Sequence, residues 1–428
     1  MNARHDGLNL NRRRFLTRAA ATTLGAASIA SALRSATAQD SLLEALMEQH
    51  QTGDGGEGFD SASRTLAMPK SSLPTLSPGT VQTTELAIGR YETLAASGGW
   101  QPVPVTDKLR VGNRNLAVPA MRARLVASGD LDVSSGQNDV YDTYVERAVR
   151  RFQARHGLNV DGIAREQTIN SMNVPAQARL SQLKVNLMRL RAMGNAMPPR
   201  LVVCNIPAAQ IEAIESGVVV SRHTAVAGKP DRPSPEINSR IVEINFNPFW
   251  TVPVSIVRRD LIPLMQKEPD YLTKNHIRII DPRGNELPPA QINWYSEEAV
   301  NYKFKQDPGD FNSLGSLRIN FPSAHGVYMH DTPLKNLFGN DFRFMSSGCV
   351  RIENVRELVN WVLADTPQWS RAEIEAAIKS GERKDAKIAK PVPLHWVYIT
   401  GWATPDGVVQ FRDDIYNRDG LGPYANRT

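Results

Sequence analysis

The chain of 428 residues contains only two cysteines, Cys204 and Cys349, which excludes a domain framed by several disulfide bonds. It contains no H-E-x-x-H and no C-x-x-C motif, so these common zinc signatures are absent. After residue 38 no run of 18 apolar residues occurs, and we expect no membrane-spanning helix there. With 41% hydrophobic and 22% charged residues, the composition is that of a globular protein, and the length predicts two or three domains.

Excess basic charge is also scarce outside the first 38 residues. That segment holds six arginines against one aspartate and so supplies +5 of the formal net charge of +6. The remaining 390 residues carry about +1. A nearly neutral chain of this length predicts no phosphate-binding surface and no nucleic-acid partner.

Residues 1–38 predict an export signal. A basic head at 12–14, an apolar run over 19–33 and a small-residue site at 36–38 are typical of a cleavable secretory signal. The arginine pair at 12–13, followed by Phe15 and Leu16, resembles the twin-arginine export signal. An arginine-rich signal of another route, or an uncleaved anchor, is the alternative. In each case we expect the working part of the protein in the periplasm.

The next two segments differ in composition. Residues 39–114 are rich in Ser, Thr, Gly and Pro and predict a linker with an N-terminal scaffold segment. Residues 115–174 have helical periodicity, with Val145, Val149 and Phe152 on one face. Within this part, residues 146–158 followed by Asp161-Gly162 resemble the peptidoglycan-binding type 1 module. An ordinary three-helix bundle satisfies the same spacing.

The remaining chain changes from helical to β character. Residues 175–198 predict one connecting helix, and residues 199–400 predict a β-dominated domain of short strands separated by Gly, Pro and Asn turns. Residues 258–301 interrupt these strands as an inserted cap, and residues 401–428 are left as a C-terminal tail. The predicted class is therefore α+β multidomain, with a helical module followed by a β-dominated domain.

Two short motifs carry the chemistry of this second domain. The first is H-G-V-Y-M-H-D at residues 325–331 and the second is S-S-G-C-V-R at residues 346–351. The pair H-G-x-x-x-H and S-x-G-C-x-R, with nineteen residues from His330 to Cys349, resembles the signature of the L,D-transpeptidase (YkuD) catalytic domain. Residues 247–253 and 306–315 resemble the larger, murein-crosslinking branch of that family. Ser347 stands where many relatives have histidine.

Alternation along a strand separates the two histidines of the first motif. If residues 326–330 are extended, Tyr328 and His330 share one face and His325 lies on the other. His330 can then take the proton of Cys349 and hold a thiolate–imidazolium pair, which makes Cys349 the nucleophile and His330 the general base and acid. A zinc site made of both histidines and Cys349 is the rival hypothesis, and the alternation opposes it.

The other site candidates surround this pair. Gly348 allows close backbone approach, so its amide and that of Cys349 can stabilise an oxyanion, to which the resemblance adds the Tyr328 hydroxyl. Arg351 is expected either to bind a substrate carboxylate or to brace the loop. Ser347 and Trp250 complete the predicted substrate-binding residues, although Trp250 also fits core packing. No orienting partner of His330 is identified, since Asp331-Thr332-Pro333 is typical of an ordinary turn.

The resemblance implies a specific reaction. Cys349 attacks the diaminopimelate carbonyl of a peptidoglycan tetrapeptide stem, D-alanine leaves, and a second stem's amine resolves the thioester into a 3-3 crosslink. It also implies that carbapenems acylate Cys349 and that no metal or other cofactor takes part. Water as acceptor would give an L,D-carboxypeptidase, and a protein amine would attach an envelope protein to the wall. A noncatalytic peptidoglycan-binding protein is the alternative from another class.

Overall fold

The computed structural model describes residues 72–194 and 197–421. Within them the chain divides into two units, residues 249–313 and the rest. The predicted signal at 1–38 and residues 39–71 of the predicted linker lie outside the described residues. None of the helices in the described part combines the length and the apolar character that a bilayer span requires.

Five α-helices within the described residues precede the first strand: Pro78–Ala96, Ala117–Ala127, Thr143–His156, Glu166–Met172 and Ala176–Gly194. The third begins where the Asp142 carboxylate accepts two backbone N–H groups of the first turn, and it ends at Gly157, whose φ of 69° is left-handed. The apolar face predicted for this helix is fully buried: Val145, Val149 and Phe152. The helical character of this region is thus confirmed.

The strands of the described residues are, in chain order, β1 (Arg200–Asn205), β2 (Gln210–Glu215), β3 (Val218–Gly228), β4 (Ile237–Phe246), β5 (Trp250–Thr251), β6 (Ile277–Ile280), β7 (Glu286–Leu287), β8 (Lys303–Gln306), β9 (Leu317–Asn320), β10 (Met329–His330), β11 (Phe344–Ser346), β12 (Val350–Ile352), β13 (Lys384–Val397), β14 (Gly401–Ala403) and β15 (Val409–Phe411).

Nine of these strands form one sheet in the order β11-β3-β12-β10-β9-β4-β13-β1-β2. A further pairing of β2 with β3 closes this sheet into a barrel. Its interior is filled by apolar side chains of alternate strand positions together with the helix Val355–Val362. Cys204 is among these side chains, and burial raises the pKa of its thiol, as expected for an inert core cysteine. The predicted β-dominated domain is confirmed.

The helix Val355–Val362 does not start as the sequence suggests. Asn354 and Glu357 have the spacing of a capping box, but Asn354 has a left-handed φ of 50° and its side chain caps no backbone group. The backbone N–H of Glu353 donates to Thr224 O on β3, so the end of the sheet ladder determines where the chain turns. A capping box is instead present at Ser370 and Glu373, before the helix Arg371–Lys379.

Residues 401–421 of the predicted C-terminal tail are described, and part of them is folded onto the helices. Strands β14 and β15 form an antiparallel hairpin. Its side chains pack with the helices Pro78–Ala96 and Ala176–Gly194 in one apolar cluster: Ala87, Tyr91, Leu180, Leu183, Ala403, Val409 and Phe411. Two of the N-terminal helices are thereby tied to the end of the described chain.

The unit of residues 249–313 has its own small sheet, in the order β5-β8-β6-β7. A helical stretch made of Val254–Ile256, Val257–Leu261 and Ile262–Lys267 precedes β6. Phe304 on β8 is fully buried in this unit. The predicted cap insertion at 258–301 falls within these residues.

Candidate functional site

Two adjacent barrel strands, β10 and β12, carry His330 and Arg351, and Tyr328 and Cys349 directly precede them. Met329 on β10 pairs with Val350 on β12 and with Ile319 on β9, and these three side chains belong to the barrel core. Because side chains alternate along a strand, their chain neighbours point to the opposite face. Those neighbours are Tyr328, His330, Cys349, Arg351, Arg318 and Asn320. The register pairs His330 with both Arg351 and Arg318. The Val350 N–H donates to Tyr328 O at 3.1 Å, which places Cys349 beside Tyr328.

The His330 ring is held in one orientation by a backbone group. Its side chain is 5% exposed, and its Nδ1 lies 2.5 Å from the backbone carbonyl oxygen of Asp331. Because a carbonyl oxygen can only accept, Nδ1 carries the proton in the neutral ring and Nε2 presents a lone pair. This orienting partner of His330, which the sequence did not reveal, belongs to a residue predicted as an ordinary turn.

Asp331 is itself fixed by its side chain. Its carboxylate accepts hydrogen bonds from the Ser316 backbone N–H at 3.1 Å and from the Ser316 hydroxyl at 3.0 Å, and it forms an ion pair with Lys335. Gly315 packs so closely that a Cβ there would lie 2.5 Å from the Asp331 carboxylate, and its φ is 57°. The carboxylate therefore anchors the turn, while the backbone carbonyl orients the imidazole.

Burial and neighbouring charges shift the pKa values of the Cys349 thiol and the His330 imidazole. Burial raises the pKa of Cys349, opposed by hydrogen bonds from the amide and phenol of Tyr328 and by the charges of Arg318 and Arg351. Burial, followed by the charge of Arg351, lowers the pKa of His330 to about 3. Both directions favour the uncharged forms of the two side chains in the free protein.

This neutral pair predicts how the free thiol reacts with pH. Iodoacetamide attacks only the thiolate, so its rate at Cys349 should rise about tenfold per pH unit from pH 6 to pH 9, without a plateau. His330 stays deprotonated over this range because its pKa is about 3. The measurement is the alkylation rate at Cys349, followed by intact mass, with Cys204 silent because it is buried. A rate that is already constant below pH 7 would show an ion pair and contradict this account.

The turn that carries Cys349 has one backbone donor that could stabilise an oxyanion. Gly348 has a φ of 108°, a conformation that glycine adopts without strain. Its own N–H donates to the Ser346 hydroxyl at 3.2 Å, and this hydroxyl donates to Cys349 O. Of the two amides expected in an oxyanion hole, only the Cys349 N–H has no acceptor among the described residues. The donor that remains for an oxyanion is thus the Cys349 N–H. The role of Gly348 is to allow the backbone turn.

The other residues predicted to contact substrate differ in their exposure to solvent. Arg351 is 7% exposed and stands beside His330. Ser347 is exposed, and its hydroxyl accepts a hydrogen bond from Arg232 at 3.1 Å. Trp250 lies in the unit of residues 249–313, on β5, and is buried. The structure therefore brings together Cys349, His330, Tyr328, Gly348, Ser347 and Arg351, and it describes Trp250 in the other unit.

The first histidine of the motif does not join the site. His325 is exposed in the turn before β10, and its backbone N–H donates to Ser323. The strand that includes His330 is shorter than predicted, because Gly326 has a φ of 63° and only residues 329–330 are extended in the sheet. Across residues 72–194 and 197–421, no three His, Cys, Asp or Glu side chains are grouped so that they could hold a metal ion.

Arg318 is a site residue that the sequence reasoning missed. Its guanidinium lies 4.1 Å from the centre of the Tyr328 ring, and its charge lowers the pKa of both Cys349 and His330. The only local signal was the alternation of apolar and polar residues over Leu317–Asn320, which indicates a strand with one polar face. Its closeness to the nucleophile follows from the pairing of β9 with β10.

Comparison with known proteins matches two segments of the chain to family models. The family model "L,D-transpeptidase catalytic domain" matches residues 199–373, and the model "Putative peptidoglycan binding domain" matches residues 114–172. A Haemophilus influenzae protein named "Putative L,D-transpeptidase" is 31% identical over 259 residues, which are 59% of this chain and 52% of that protein. The chain thus spans about half the length of this relative.

Further relatives match over smaller shares or at low identity. The Mycobacterium tuberculosis N-acetylmuramoyl-L-alanine amidase CwlM is 40% identical over 74 residues, 15% of this chain and 18% of its own length. A solved L,D-transpeptidase from Stackebrandtia nassauensis is 12% identical with a TM-score of 0.27, covering 69% of this chain and 96% of its own. One from Xylanimonas cellulosilytica is 14% identical with a TM-score of 0.23, covering 69% and 100%.

Proposed function

We propose that this chain, whose residues 199–373 form an L,D-transpeptidase catalytic domain, crosslinks peptidoglycan stems through a thioester on Cys349. The observation that supports this best is the pairing of β10 with β12, which sets His330 beside Arg351, together with the hydrogen bonds of Tyr328 to Cys349. With Nδ1 held by Asp331 O, the Nε2 lone pair of His330 is the basic atom that cysteine acyl transfer needs. The peptidoglycan-binding module at 114–172 supports the same substrate.

The first half of the reaction forms the acyl-enzyme. The Cys349 sulfur attacks the carbonyl carbon of the third stem residue, diaminopimelate, and the negative oxygen that develops is met by Cys349 N–H. The bond from this carbonyl to the D-alanine nitrogen then breaks. His330 Nε2 takes the thiol proton and passes it to that nitrogen, so D-alanine leaves as an amine and a thioester remains.

The second half transfers the acyl group. The side-chain amine of diaminopimelate in a second stem attacks the thioester, an amide bond forms, and the Cys349 sulfur is expelled. His330 takes a proton from the attacking amine and returns it to the thiol, so the enzyme is regenerated without any net oxidation. The product is a 3-3 crosslink.

Arg351 and Arg318 link substrate binding to the pKa of His330. Arg351 and Arg318 both lower the pKa of His330 in the free protein. A stem carboxylate that pairs with either guanidinium compensates this charge, which raises the pKa of His330 and makes it a stronger base when substrate is present. We assign this role first to Arg351, with Ser347 as a further substrate contact.

The place of action follows from the substrate. Peptidoglycan lies outside the inner membrane, so we propose that the protein works in the periplasm and that residues 1–38 carry it there as a twin-arginine signal. These residues lie outside the described part of the chain.

The test is product analysis by mass spectrometry after incubation of the purified protein with a disaccharide-tetrapeptide. A stem dimer that lacks one D-alanine is the expected product. The matched substrate carries an acetylated diaminopimelate side-chain amine, so it can donate but cannot accept, and it should give no dimer. Tripeptide monomer alone from both substrates would mean hydrolysis or a missing protein acceptor. Absence of any product would contradict the proposal and favour a binding protein.

A further inference from the structure

A buried serine lies directly beneath the nucleophile turn. Ser234 is completely buried, and its hydroxyl donates to the backbone carbonyl of Gly348 at 2.9 Å. The same oxygen accepts the backbone N–H of Gly228 at 2.9 Å, so both hydrogen-bonding roles of the hydroxyl are used. A Cβ placed at Gly348 would lie 3.6 Å from Pro233 O, which shows how closely this loop approaches the turn.

The bond to Gly348 O determines where the next amide points. The peptide unit between Gly348 and Cys349 is trans and planar, so its C=O and N–H point in opposite directions. Because Ser234 holds the oxygen on one side, the Cys349 N–H is directed to the other. This N–H is the amide left for the oxyanion, since the Gly348 N–H donates to Ser346.

A tyrosine near the C-terminus holds Ser234 in place. The Tyr416 hydroxyl donates to Gly228 O at 2.5 Å and accepts the Ser234 backbone N–H at 3.2 Å. Burial raises the pKa of Tyr416 to about 12, so the phenol keeps the proton that it donates. Tyr416 lies 43 residues beyond the end of the matched catalytic family segment at residue 373.

Tyr416 is in turn anchored by its own segment. Its backbone N–H donates to the Tyr398 hydroxyl at 2.8 Å, and that hydroxyl donates to Asp414 at 2.7 Å. Arg189, on the helix Ala176–Gly194, forms an ion pair with Asp419 at 2.6 Å. The segment that carries Tyr416 is therefore fixed to the barrel and to a helix outside it.

We propose that Ser234 and Tyr416 are positioning residues that aim the Cys349 N–H at the carbonyl under attack. The inference rests on the proposed function only in requiring acyl transfer at Cys349, and the identity of the acceptor does not enter it. A chain segment outside the matched family region thereby completes the oxyanion hole, acting through Ser234 and the Gly348 carbonyl.

Two reactions of the same thiol separate this role from a general structural one. Imipenem acylates a cysteine when sulfur attacks the β-lactam carbonyl, the ring C–N bond breaks and the thiol proton goes to the ring nitrogen, and an oxyanion develops on the way. Iodoacetamide alkylates the same sulfur by displacement of iodide at a saturated carbon, and no oxyanion forms. Loss of oxyanion alignment should slow the first reaction and spare the second.

The experiment compares both rates in the full protein by intact mass for the wild type, Ser234→Ala and Tyr416→Phe. We expect imipenem acylation of Ser234→Ala to fall about tenfold or more, with iodoacetamide alkylation within about twofold of wild type. Tyr416→Phe should also lower the ratio of the imipenem rate to the iodoacetamide rate, by a smaller factor. The control is Tyr141→Phe, which removes another phenol-to-carbonyl bond, 2.7 Å to Gly162 O, in the helical module and should change neither rate.

Other outcomes overturn the inference. A parallel fall of both rates would mean that the variants damage the thiol environment as a whole, and unchanged rates would mean that the bond does not position the amide. If Ser234→Ala does not fold, the Tyr416→Phe ratio decides alone. A wild type acylated by neither imipenem nor p-nitrophenyl acetate would also refute it. Imipenem acylation without any stem product would refute the proposed function and leave this inference standing.

Discussion

Replacement of His330 by glutamine is expected to lower the rate of acyl-enzyme formation by about a thousandfold, the usual contribution of a well-placed general base. The structural reason is that His330 presents a lone pair at Nε2, while Nδ1 is fixed by Asp331 O. A glutamine amide cannot take the thiol proton. The measurement is the rate of Cys349 acylation by a tetrapeptide donor, read by intact mass.

The matched control for this substitution is His325→Gln in the same motif. His325 is exposed and its backbone N–H bonds to Ser323, so its replacement should leave the acylation rate within about twofold of wild type. Equal losses from both substitutions would indicate that the motif acts as a structural turn. A His330→Gln rate within tenfold of wild type would assign the base to another group.

Replacement of Cys349 by alanine is expected to abolish both crosslinked dimer and released D-alanine. The remaining residues of the turn keep their bonds, since Ser346 and Ser234 contact the backbone of residues 348 and 349 and do not use the sulfur. Circular dichroism and the melting temperature should therefore stay near those of wild type, while product formation falls below detection.

The other cysteine provides the control. Cys204→Ala removes a thiol that is 1% exposed in the barrel core, so it should lower stability by about 1 kcal/mol and leave turnover intact. Stem dimer produced by the Cys349→Ala protein would refute Cys349 as the nucleophile. Loss of turnover in both variants, with intact folding, would point to a shared structural cause.

The sequence was a good guide where local patterns decide structure. The β-dominated domain predicted at 199–400 was recognisable because burial on a sheet face produces short apolar runs, such as those over β1, β3 and β4. The helix from Thr143 to His156 was equally readable, since its cap, apolar face and terminal glycine are all local signals. The two motifs at 325–331 and 346–351 were recognisable because the family resemblance rests on residue types at a fixed spacing.

The rest of the site depends on contacts that leave no local trace. Ser234 and Tyr416 are 182 residues apart, and only the folded barrel brings Ser234 to Gly348 and Tyr416 to Ser234. The partner of His330 is a backbone carbonyl, a group that every residue possesses. The predicted cap at Asn354 failed because a long-range bond of the preceding residue to β3 sets the backbone there. At Asn354 the hydrogen bonding of the sheet therefore outweighs the local preference for a helix cap.

In the proposed reaction, Cys349 carries the acyl group of a donor stem from which D-alanine has departed. The most direct measurement is the intact mass of the wild-type protein, quenched in acid early in its reaction with the donor whose acceptor amine is acetylated, because the thioester then has only water to resolve it. The account predicts one adduct equal to the donor minus D-alanine, located at Cys349 by peptide fragmentation. An adduct that retains D-alanine, an adduct on another residue, or free D-alanine without any covalent intermediate would contradict it.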